Sequence, residues 1–92
     1  VLDAEAVAEA QELLDDLLDW ELTRDKWGQV SARLGELDAA VRADDSTAVV
    51  AATAALELLS PLMGPGMGKE PTTPPPDEVR EKQVEIVDKL AR

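Results

Sequence analysis

The sequence predicts an all-α fold, a small four-helix bundle with a Pro/Gly-rich linker before the last helix. Three observations carry this. Helix formers dominate the 92 residues, while β-branched and aromatic residues are sparse beyond a few valines and Trp20 and Trp27. Three segments repeat apolar residues at helical steps, and a fourth is apolar almost all round. Capping and turn residues stand where these segments meet. Ninety-two residues make room for one domain, 1–92. A domain of this size buries somewhat over ~60% of its unfolded surface, enough for a modest core but not for a deep enzyme cleft.

The first helix is expected over about 3–19. Asp3 suits its N-cap, and Leu2 with Val7 can form a hydrophobic staple around that cap. At ~100° per residue, Ala6, Val7, Ala10, Leu13, Leu14, Leu17, Leu18 and Trp20 share one arc. Glu5, Glu9, Glu12, Asp15, Asp16, Asp19 and Glu21 fill much of the other side. The stretch Trp20–Trp27 then reads as a turn. Thr23 caps the second helix, Leu22 and Trp27 hold the two staple positions, and Asp25 complements the dipole in the first turn. A stapled turn between amphipathic segments is the mark of an αα-hairpin.

The second helix, 24–43, shows the cleanest stripe: Trp27, Val30, Leu34, Leu37 and Val41 at alternating steps of three and four. Gly35 interrupts it and suggests close approach by a neighbouring helix. Arg42 favours the C-terminus, and Asp44-Asp45-Ser46 supplies a turn and the next cap. The third helix, 47–59, has only Thr53 and Glu57 to mark an outward side, which suits a helix contacting two neighbours. Ser60-Pro61 ends it. Residues 61–76 have no periodicity and read as a stiff polyproline-like crossover, with Leu62, Met63 and Met67 as tethers and Lys69 as a cleavage point. The fourth helix, 77–91, starts near Pro76 as first helical residue, with Asp77 and Glu78 behind it. Val79, Ile86, Val87 and Leu90 form its apolar face, with Gln83 inside the stripe.

Charge is distributed unevenly. Residues 1–22 hold eight acids and no Lys or Arg, the greater part of a net charge of −11. That balance argues against nucleic acid, which needs clustered bases. No stretch approaches a membrane span, and no basic-then-apolar leader pattern opens the chain. With no His and no Cys, imidazole bases, thiol nucleophiles, disulfides and ordinary zinc sites are excluded. Ser31, Ser46 and Ser60 lack any local activating motif, and phosphate-loop, dinucleotide and calcium-loop patterns are missing. Carboxylates remain. Glu9-x-x-Glu12 and Glu85-x-x-Asp88 match the short pairs with which all-α nucleotide pyrophosphatases hold magnesium. Here each pair lies opposite its helix's apolar stripe, so solvated faces explain them better than catalysis.

The order of features is W-E-L with a second Trp seven residues after the first, then V-x-x-x-L-x-x-L and a D-D-S cap. A-A-T-A-x-L-E-L-x-x-P, a proline-rich gap and V-R-E-x-x-x-x-I-V-x-x-L follow. Over about residues 10–92 this resembles the CATRA-associated small proteins (CATASP). These are compact helical bacterial proteins or domains encoded beside CATRA proteins, which are named for association with caspase-like peptidases and TPR repeats. The last helix departs from the family pattern at Val84 and Asp88, where Asn and His often stand. The resemblance implies a non-enzymatic component of a bacterial conflict system, an adaptor or regulatory partner of a CATRA or peptidase-containing protein, working in the cytoplasm. It singles out Trp20, Trp27, Leu34, Leu37, Leu56, Glu57, Pro61, Arg80, Glu81 and Leu90, mostly as core or capping positions. Arg80 and Glu81 are the better contact candidates.

No cofactor is expected. The partner-binding residues expected from the charge pattern are Glu5, Glu9, Glu12, Asp16 and Asp19, which together can steer a basic surface. Two alternatives stand beside this reading: a structural, self-associating helical domain, and a magnesium-dependent pyrophosphatase-like enzyme.

Overall fold

The computed structural model describes residues 2–60 and 72–91. It holds α1 Ala4–Leu17, α2 Arg24–Arg42, α3 Ser46–Glu57 and α4 Asp77–Leu90. Three of the four helices begin at side-chain caps. Asp3 Oδ1 accepts from the Glu5 N–H at 3.4 Å, Thr23 Oγ1 from Lys26 at 3.3 Å, and Asp45 Oδ1 from Ala48 at 3.1 Å. Both expected staples have their apolar partners in or against the core: Leu22 and Trp27 are buried, and Leu2 and Val7 pack on its edge. The fourth start differs from expectation. Pro76 is the cap residue rather than the first helical one, with ψ of 161° and no side-chain cap. Its backbone is extended, and the helix begins only at Asp77.

α2 ends in a Schellman turn. The Asp45 N–H reaches back to the Ala40 carbonyl and the Asp44 N–H to Val41, both at 3.1 Å. Asp44 takes the left-handed position with φ of 56°, where glycine is the usual residue and Asp is tolerated. One turn therefore closes α2 and places Asp45 to open α3.

α1 runs parallel to α3, and α2 to α4. The Asp3 N–H donates to Ser46 Oγ at 2.8 Å, which joins the starts of α1 and α3. Ser31 Oγ donates to Glu78 at 2.9 Å and Lys89 Nζ to Asp38 at 2.6 Å, so α2 and α4 run together from start to end. α1 packs on α3 and α4, and α2 packs on the same two, leaving α1 diagonal to α2 and α3 diagonal to α4. The αα-hairpin expected from the Trp20–Trp27 turn is thus not formed, because its two helices do not touch. Residues 18–23 instead cross one end of the bundle. Trp20 and Leu22 are both buried there, and burying them draws the connection over the core rather than around its rim.

The core contains every residue singled out for it by the resemblance within the described chain: Trp20, Trp27, Leu34, Leu37, Leu56 and Leu90. Several side chains depart from the helical pattern. Trp20 is buried although it lies beyond the end of α1, whereas Leu18, at that end, is exposed. In α2 the last buried position is Ala40, with Val41 only partly covered. Thr53, expected outward, is buried because its hydroxyl donates to the Val49 carbonyl at 2.8 Å and needs no water. The outward face of α3 is apolar instead. Gly35 does not mark a close approach, since a Cβ there would meet nothing within 4 Å. Gln83 is buried as its place in the stripe implied, and its Nε2 donates to the Leu14 carbonyl at 3.0 Å.

Most of the expected crossover, with Pro61, Leu62, Met63, Met67 and Lys69, lies outside the described residues. Residues 72–76 do not behave as a free linker. Thr73 and Leu22 exchange backbone hydrogen bonds at 2.9 and 3.1 Å, an isolated antiparallel bridge. The Thr73 carbonyl also accepts from Trp27 Nε1 at 2.8 Å. Pro75, two residues on, is buried.

Candidate functional site

Parallel packing of α1 and α3 brings their C-terminal ends to one pole. Between them an open groove of ≈ 630 Å³ is lined by Glu9, Glu12, Leu13, Asp16, Asp19 and Trp20 from the α1 side and by Glu57 and Ser60 from the end of α3. Leu13 and Trp20 are almost fully buried and form an apolar floor, while the five carboxylates are exposed and form the walls. The groove follows from register: Glu9, Glu12 and Asp16 recur at steps of three and four, so they stand on one side of α1.

The electrostatics run against the helices. Unsatisfied carbonyls at a helix C-terminus carry about half a negative charge, so acids there cost roughly 0.3–1 kcal/mol each where exposed. α1 has Asp15 and Asp16 in its last turn, α3 ends on Glu57, and neither last turn holds a base. Among the described residues, Glu9, Glu12, Asp16, Asp19 and Glu57 form no ion pair. Ser60 is occupied otherwise, its hydroxyl donating to the Glu57 carbonyl at 2.7 Å. Water and salt are the only compensation that these carboxylates have within the described chain.

Of the candidates read from the sequence, the structure gathers Glu9, Glu12, Asp16 and Asp19 into the groove. Glu5 is exposed in the first turn of α1 and does not line it. Arg80 and Glu81 are exposed on α4, which packs on the other flank of α1, so they do not join the acids. Glu85 and Asp88 also lie on α4, apart from the groove that Glu9 and Glu12 line, and no group of three or more acids among the described residues is arranged to hold a metal. Sequence reasoning missed Glu57 and Ser60 as neighbours of the α1 acids. Their proximity depends on α1 and α3 being parallel, which no local pattern encodes. The one available signal was the absence of a base near the end of the third segment.

No described helix is long and apolar enough to cross a membrane. A family model described as CATRA-Associated Small Protein matches residues 9–92. No curated protein and no solved structure matches the chain.

Proposed function

Because this chain belongs to the CATRA-associated small protein family, we propose that it is a non-enzymatic protein-interaction module, an adaptor or regulatory partner of a CATRA protein in a bacterial conflict system. The family name supports association with a CATRA system. The observation that carries the interaction reading is the row of carboxylates on the α1–α3 groove, which form no ion pair among the described residues. A face that opposes its own helix dipoles is held at some cost in stability, and a cationic partner surface would offset that cost. Lack of His and Cys leaves few groups for acid–base or nucleophilic chemistry, which supports the non-enzymatic reading. Steering by such a face acts mainly on the association rate and is screened over ~8 Å at physiological salt.

The test is binding to the CATRA protein of the same genome, followed by stopped-flow kinetics across a salt series. Complex formation is expected, with an association rate that falls as salt rises. Exchange of Glu9, Glu12 and Asp16 for Lys should leave the fold intact, slow association and flatten the salt dependence. A variant that binds at the original rate at low salt reduces the face to a solvated surface. No complex with the CATRA protein under any condition sinks the adaptor reading.

A further inference from the structure

Beside the acidic groove, α3 carries a second unpartnered feature. Thr47, Val50, Ala51, Ala54 and Leu58 fall within an arc of about 100° on the helix, and all are exposed, Leu58 at 85% and Val50 at 44%. The residue that continues this face towards the groove is Glu57, which lines it. On α1, Glu9, Glu12 and Asp16 share a side with Leu13 and line the same groove. One continuous surface results, with an apolar ridge along α3 and an acidic ridge along α1 running parallel to it.

We propose that this surface docks a basic amphipathic helix. The inference rests on the interaction-module reading and adds the chemistry of the docked segment. Both ridges present side chains at three- and four-residue steps, which a helix with anchors at matching steps can meet along its length. From Thr47 to Leu58 the ridge spans about 16 Å, room for roughly three turns. Apolar residues of the incoming helix cover Val50, Ala54 and Leu58, and Lys or Arg along one flank face Glu9, Glu12, Asp16 and Glu57. Charge selects the occupant. A second copy of this chain, with its net charge of −11, would bring its own acidic ridges towards these carboxylates, whereas a cationic helix relieves their repulsion.

The experiment uses the full chain, isotope-labelled for NMR, titrated with a synthetic amphipathic leucine–lysine helix and with a scrambled peptide of the same composition. Shift changes should concentrate at Glu12, Asp16, Val50, Ala54 and Leu58, and the scrambled peptide should bind at least about tenfold more weakly. Leu58→Glu, at an exposed site, should keep the native spectrum and lower affinity by about tenfold, the scale of losing one buried leucine contact. Glu12→Lys with Asp16→Lys should lower affinity and its salt dependence together. Equal binding of the two peptides, shift changes confined to α2 or α4, or a Leu58→Glu variant with undiminished affinity would overturn the proposal. So would a dimer in light scattering that Leu58→Glu dissociates, since a second copy would then be the occupant. The CATRA protein separates the two readings. If it binds wild type and Leu58→Glu alike, helix docking fails and the interaction module stands; if it binds neither while the peptide docks as expected, the reverse holds.

Discussion

Where α2 and α4 lie side by side, Asp25, Asp77 and Glu78 occupy first turns and Arg42 and Lys89 last turns, matching the helix ends, although Arg24, Lys26 and Arg80 in first turns and Asp88 in a last turn oppose them. Asp38 joins this pair by accepting from Lys89 at 2.6 Å and by an ion pair with Arg42 at 3.1 Å. The α1–α3 pair does the opposite: its last turns hold acids and no base, and the bond that ties it together runs from the Asp3 N–H to Ser46 at the far pole. Apolar packing is shared by both pairs, so the contrast lies in the surface. The ion pairs of Arg33 with Glu36 and of Asp38 with Arg42 and Lys89 all lie within or between α2 and α4. The groove carboxylates of α1 and α3 form none among the described residues, which is the physical reason for placing the partner there.

The largest effect that can test this contrast is in the core beneath it. Trp27→Ala removes a nearly fully buried ring and its bond to Thr73, and should cost about 3–5 kcal/mol in urea unfolding. Leu58→Ala, on the exposed ridge of α3, should stay within about 0.5 kcal/mol. Comparable losses at the two sites would mean that the ridge is part of the core. Next in size is Gln83→Ala, which takes the buried partner from the Leu14 carbonyl and should cost about 1–3 kcal/mol. A neutral result would show that α4 holds its register on α1 without that bond.

Smaller effects bear on the charges themselves. Asp16→Asn and Glu57→Gln should each raise stability, by roughly 0.3–1 kcal/mol at low salt, while Asp77→Asn should lower it by a similar amount. Opposite signs for the same chemical change would sharpen the contrast between the pairs; equal signs would dissolve it. Added salt should shrink all three changes. Lys89→Met should likewise cost no more than about 1 kcal/mol, because its ion pair with Asp38 is only partly buried.

Much of this fold was legible because it is local. Caps at Asp3 and Thr23 and within Asp44-Asp45-Ser46, the staple residues Leu22 and Trp27, and the stripe from Trp27 to Leu37 depend on residues within a few positions of one another. Helix adjacency was not legible. Residues 18–23 serve a hairpin or a diagonal crossing equally well until Trp20 and Leu22 are seen to bury at the bundle's end. Thr53 misled because a hydroxyl satisfied by its own helix counts as apolar in packing. The bridge between Leu22 and Thr73 is made by main-chain atoms and leaves no side-chain pattern. As for the site, the acidic side of α1 was plain in the sequence. Its apposition to Glu57 and to the exposed ridge of α3 was not, since both require knowing that the two helices run parallel.

The Thr73 carbonyl, bonded to both Leu22 and Trp27, gives α4 an anchorage that does not depend on the chain before it. Thermodynamically, residues 72–91 behave as an intramolecular ligand of the other three helices, and residues 61–71 set its effective concentration. Severing that connection would turn a folding equilibrium into a bimolecular one. A nicked protein should then stay assembled well above the dissociation constant of the fragment and come apart on dilution, and a free peptide of this sequence should compete for the vacated seat.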